Sequence, residues 1–257
     1  MPIHRVICRW DFGLSPKLMD QPGGLLDQLD VNGRWAIANE NSSKRQFFLR
    51  GNSVDGSVNE TFSFSPVFAV FSAEWVEGVE ISKLDDHRPI QELFRCLEVV
   101  RQYGAIRTLR RSGLRFTHLE QVAPELAKSD SDEQALLQRV LERSTPNVSS
   151  LIEEVAGRTT DASVKLVGSH EDKTNYTISY GPFNGVEIPK WFPEIADAWT
   201  APCNADFLCD ADFWESDFEL TVSPRKWASP LVRRFGKIIS RVTDELREKG
   251  NGLDRAD

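Results

Sequence analysis

The chain has 257 residues, 40% hydrophobic and 27% charged, with a mean hydropathy of -0.38. That is the composition of a folded globular protein, not of a disordered or membrane-embedded one. The formal charge of -8 and the pI near 5.2 argue against a general nucleic-acid binder, which needs a basic surface.

The opening segment RVICRWDF alternates apolar and polar residues, as a half-buried strand does. Pro16, Pro22, Gly23 and Gly24 then mark a turn-rich stretch. RWAIANE and RQFFLRGN read as a hairpin around Asn41, Ser42 and Ser43, and ETFSFSPVFAVFSAEWVEG reads as two strands broken at Pro66. PIQELFRCLEVVRQYG is the first clear helix. Pro89 suits its first position, Ile90, Leu93, Phe94, Leu97 and Val100 share a face, and Gly104 is its stop. IRTLRRSGLRFTHLEQV returns to a strand that carries Arg107, Arg111 and Arg115 on one side and Arg110 on the other. Ser129 to Arg143 and Ser149 to Ala156 predict two capped helices. SVKLVGSHE and NYTISYGPF form a second hairpin. The segment VEIPKWFPEIADAWTAP follows, irregular and rich in proline and aromatic residues. SPLVRRFGKIISRVTDELREK closes the chain as an amphipathic helix, with Ser229 as cap, Pro230 at its start, and Leu231, Phe235, Ile238, Val242 and Leu246 as its stripe.

Strands that run into amphipathic helices, without strict alternation, predict an α+β fold of antiparallel sheets with the helices packed on one face. Residues 1–125 form an N-terminal half, 126–160 a helical connector, and 161–257 a C-terminal half ending in a long helix. The two halves suggest a duplicated architecture. No apolar run could span a bilayer, and the start MPIHRVICRWDF holds no signal-peptide core, so a cytoplasmic location is expected. Cys8, Cys96, Cys203 and Cys209 form no C-x-x-C pair and read as reduced, buried thiols.

The stretch FLCDADFWESDFE concentrates carboxylates. Phe207, Cys209, Ala211 and Phe213 fall on one face of a strand, and Asp206, Leu208, Asp210, Asp212 and Trp214 on the other. That is the pattern of a strand buried on one side. The competing reading is that Asp210 and Asp212 hold a divalent cation for phosphoryl transfer. Trp214 stands where an aspartyl-nucleophile phosphatase wants a small or β-branched residue. The arginine strand offers the carboxylates an ionic partner, so the two strands are expected to be neighbours, with Arg111 matched to Asp212.

His4, His87, His118 and His170 have no metal-ligand spacing, and Ser223–Lys226 fits S-x-x-K without accessory motifs. No cofactor, catalytic residue or metal ligand is assigned. Trp191, Phe192 and Trp199, held between prolines, together with Arg107, Arg111 and Arg115, are the candidate binding residues for a protein partner. The alternative for the three aromatics is a lid folded onto the sheet.

RSGLRFTHLEQV resembles the Arg-x-Gly-Leu-Arg-Tyr/Phe-x-Asn-x-Ile strand of an uncharacterised, sporadically distributed bacterial family of about this length. His118 takes the place of the family's asparagine. The helix before this strand, the Leu208–Asp212 stretch (with one residue more than the family's Leu-Asp-x-Asp) and the terminal Phe235-x-x-x-Ile239 follow the family's order. The scattered distribution of that family resembles mobile defence or toxin–antitoxin cargo. The resemblance therefore implies a non-catalytic accessory or regulatory subunit that binds another protein. A small-ligand binder of helix-grip style and the metal-dependent enzyme are the alternatives.

Overall fold

The computed structural model describes residues 2–121, 164–184, 192, 205–220 and 223–251, apart from 32, 39–41, 44, 52–55 and 172. Among the described residues nine antiparallel strands form a single sheet, which makes the fold sheet-dominated α+β. They are β1 (Pro2–Phe12), β2 (Trp35–Ile37), β3 (Phe47–Gly51), β4 (Val58–Phe64), β5 (Phe68–Glu80), β6 (Thr108–Gln121), β7 (Val164–Ser169), β8 (Asn175–Asn184) and β9 (Ala205–Glu219), in spatial order β2-β3-β4-β5-β1-β6-β9-β8-β7. Both predicted hairpins are present, and Pro66 sits in the turn between β4 and β5.

The turn-rich stretch after β1 is helical instead. Two short helices, α1 (Pro16–Asp20) and α2 (Pro22–Gln28), each open on a proline, whose missing N–H is one that a first turn leaves unbonded anyway. Ser15 caps α1 by accepting from the Leu18 amide at 3.4 Å, and its hydroxyl donates to the Gly104 carbonyl at 3.1 Å. That second bond ties α1 to the end of α3 (Arg88–Tyr103). A 3-10 turn, Ile81–Asp86, leads into α3.

Helix α3 buries Ile90, Leu93, Cys96, Leu97 and Val100, while Phe94 is half-buried. Gly104 caps it at an ordinary φ of -76°, and the left-handed residue is Ala105, at φ 51°. Glu92 on α3 gathers the Trp35 indole N–H at 3.0 Å and the Arg95 guanidinium at 2.6 Å. Burial pushes its carboxyl up, but the bonds and charge of Arg95, with help from Trp35 and Arg34, outweigh that and hold it below the usual range. Arg95 also donates to the Gln28 and Leu29 carbonyls at 3.3 Å, closing the end of α2.

The terminal helix α4 (Pro224–Asn251) starts one Ser-Pro earlier than its sequence suggests. The Ser223 hydroxyl accepts the Lys226 amide at 3.4 Å, and Pro230 lies inside the helix. The earlier start buries Trp227 and Ala228. Leu231, Val232, Phe235 and Ile239 follow as buried residues, with Ile238 only half-buried, and the side chains of Val242 and Leu246 lie outside the described set. Phe235 stacks on Phe116 of β6, ring centroids 4.7 Å apart. The helices and the apolar sheet side chains, among them Val6, Cys8, Trp10, Phe62, Phe71, Leu114, Ala211 and Phe213, belong to one buried cluster.

The candidate interaction surface

The side chains of the sheet that turn away from that cluster make a polar face. Strand register gives its rows. Glu74, Arg5, Thr117, Asp210, Ser179 and Lys165 lie in line across six strands, and Ser72, Ile7, Arg115, Asp212, Thr177 and Val167 form the next row. In the first row Glu74 stands directly opposite Arg5, an opposite-charge pair that favours this register over a slipped one.

β6 and β9 are neighbours, as the arginine and aspartate patterns predict. Arg115 stands opposite Asp212, yet its Nε donates to Asp210 at 2.8 Å, and the Thr117 hydroxyl donates to the same carboxylate at 3.0 Å. Arg111 stands opposite Ser216 and runs along the strand to donate to Asp212 at 2.9 Å. On the way its guanidinium lies 5.2 Å from the centre of the Trp214 ring. Gly113, directly opposite Trp214, presents no side chain where the arginine crosses. The result is a ladder of Asp210, Arg115, Asp212, Arg111 and Trp214 in which each charge is paired.

Asp210 raises the Arg115 pKa chiefly through its hydrogen bond. Burial raises that of Asp212 against the pull of Arg111 and Arg115. Elsewhere on this face Glu74 is 3.0 Å from Arg5, and Arg9 pairs with Asp11 at 2.9 Å and lies over Phe68.

A metal reading has to compete with this arrangement. A divalent cation at Asp210 and Asp212 would displace two guanidinium groups already bonded there and would sit among their positive charges. Among the described residues no group of His, Cys, Asp and Glu could hold a metal ion. Cys8, Cys96 and Cys209 are buried, and burial raises all three thiols, Cys209 to about 12. No described helix is long and apolar enough to cross a membrane.

Of the other sequence-predicted binding residues, Arg107 lies one position before β6 and is exposed. Phe192 is fully buried. Trp191 and Trp199 lie outside the described residues, as do the helices predicted between 129 and 156. Asp206 is placed on β9 opposite Gln121.

Trp214 is the residue that the sequence reading weighs only as a misfit to a phosphatase. Its signal was its place on the same face as Asp210 and Asp212. The bond from Arg111 runs diagonally, so alternation alone could not show that the arginine would cross the indole. Comparison with protein-family models, curated proteins and solved structures gave no match to this chain.

Proposed function

We propose that this protein is a non-catalytic subunit that works by binding another protein, and that the partner seats on the ladder of β6 and β9. The observation that carries this reading is the half-exposed Arg111 guanidinium laid over Trp214. Arginine and tryptophan dominate interface hot spots, because one flat group buries a large area at low conformational cost. Here the arginine is already oriented by Asp212, so little ordering remains to be done on binding. The resemblance to a sporadically distributed bacterial family supports an accessory or regulatory role in a defence or toxin–antitoxin operon, acting in the cytoplasm. The acidic chain as a whole speaks against nucleic acid as the partner.

The strand order also supports a duplication. β1, then β3-β4-β5 returning beside it, then α3 make one repeat; β6, then β7-β8-β9 returning beside it, then α4 make the other. The repeats meet where β1 pairs with β6. On this reading β6 opens the second repeat, so the seam precedes residue 108 instead of falling at 125. The helix-grip alternative needs a cavity between α4 and the sheet, and the Phe116–Phe235 stack, with α4 seated directly on β6, speaks against one there.

The test is copurification from the source cells, comparing the wild type with Trp214→Ala and Arg111→Ala. A named partner should be enriched with the wild type and lost, by about thirty-fold or more in affinity, with either variant, while thermal unfolding moves little. Equal recovery with all three proteins would contradict the assignment of this face.

A further inference from the structure

We propose that β7 is a docking edge for a second copy of this chain, the two β7 strands pairing antiparallel across a twofold axis so that the sheet continues from one molecule into the next. The proposal goes beyond the partner-binding ladder and stands apart from it. β7 ends the strand order, and among the described residues no strand pairs with its far side. In the two-repeat reading its counterpart is β3, and β3 is covered: β2 lies antiparallel along it, Trp35 opposite Gly51 and Ile37 opposite Leu49. Among the described residues nothing occupies the corresponding position beside β7. Protein sheets usually blunt a bare edge with prolines, charges or bulges. β7 carries Lys165 alone, and exposes Leu166 and Val167 to 47% and 68% on its two faces.

A copy of β7 offers this edge an aliphatic residue on each face, Leu166 on the core side and Val167 on the polar side. A twofold axis normal to the sheet pairs residues of the same face only. Centred on Leu166, it sets Leu166 against Leu166 of the second copy, Lys165 against Val167, and Val164 against Gly168. On the core face this prolongs the row Phe116, Ala211, Ile178, Leu166 into the other molecule. On the polar face the aliphatic stem of Lys165 covers the exposed valine, and the two lysines do not oppose each other. Gly168 suits its place opposite Val164, because the Tyr176 ring already lies over it; a Cβ there would come 2.5 Å from the Tyr176 hydroxyl. A ladder this short falls at the small end of specific interfaces, below about 1,200 Å², so the dimer is reversible and depends on concentration.

Sedimentation velocity over a concentration series tests the pairing with three full-length proteins: the wild type, Val167→Lys, and the double variant Lys165→Glu with Val167→Lys. The wild type should pass from monomer to dimer as concentration rises. Val167→Lys places like charges opposite each other on both sides of the axis and should weaken the dimer on the order of tenfold. Adding Lys165→Glu converts each clash into an opposite-charge pair and should restore it. Amide exchange on the wild type gives a second reading, since the β7 amides should exchange more slowly at higher concentration. A wild type that stays monomeric, a dimer indifferent to Val167→Lys, a double variant that fails to recover, or β7 exchange independent of concentration would each overturn the proposal. Loss of the copurified partner in Trp214→Ala is a separate readout, so failure of the partner ladder and failure of the dimer edge are told apart.

Discussion

Arg111 and Asp212 show what a single pair contributes on a sheet face. Their side chains are 41% and 28% exposed, so solvent screens most of the attraction at 2.9 Å. Reversing either charge alone should cost stability by more than the double reversal does, with a coupling of about 0.2–1 kcal/mol in denaturant unfolding. Strict additivity of Arg111→Asp and Asp212→Arg would show that the pair sets no register. This pairing was legible in the sequence, because alternation puts the aspartates opposite the apolar core residues of β9 and makes the arginine strand their natural neighbour. The identity of the reaching atoms was not legible. Arg115 faces Asp212 but bonds Asp210, a choice made by side-chain length and by Thr117.

His4 makes a prediction at the same scale. It is 4% exposed in β1, its Nδ1 accepts the Leu119 amide at 3.2 Å, and its ring centre is 6.2 Å from that of His118. Burial, with a smaller contribution from His118, lowers its pKa to about 3. In the unfolded chain the imidazole takes up a proton near 6.5, whereas the native chain does not until far lower pH. The unfolded form therefore binds more protons in that window, and stability falls as pH drops below about 6.5, by up to about 1.4 kcal/mol per pH unit. Urea unfolding at pH 7, 6 and 5 should show this slope in the wild type and a shallower one in His4→Gln. Parallel slopes would mean that another group titrates.

Among the elements, α4 makes the sharpest claim. Phe235 is 0% exposed and stacked on Phe116, so Phe235→Ala should cost about 3–5 kcal/mol, and Ile239→Ala about 2–5 kcal/mol. Arg233→Ala, at an exposed position, should change the melting temperature little. A normal melting transition in Phe235→Ala would put the helix on the wrong face. The apolar spacing of α4 predicts its existence, but not its phase to within one residue: Ile238 and Ile239 are adjacent, and only packing decides that Ile239 goes fully inside. The sequence misplaces its start because Ser-Pro occurs twice near it, at 223 and 229, and a local cap signal cannot rank the two. The helices α1 and α2 were hidden for a related reason. Proline and glycine mark turns, and here the prolines open helices whose stability comes from burying Leu18, Leu25 and Leu29.

For the whole molecule, the sequence suggests two halves, residues 1–125 and 161–257, and the structure runs them into one sheet where β6 pairs with β9, a sheet of nine strands among the described residues. The pairing of β1 with β6 leaves no trace in local periodicity, since β1 reads the same whether its neighbour is β5 alone or β5 and β6. The joined sheet has one side committed to the core and one side left polar, and the account assigns the polar side to a protein partner. Hydroxyl-radical footprinting of the free chain and of the copurified complex tests that assignment most directly, with Met19, 47% exposed on α1, as the internal control. The account predicts that oxidation of Trp214 falls several-fold in the complex while that of Met19 is unchanged. A Trp214 as reactive in the complex as in the free chain would contradict it.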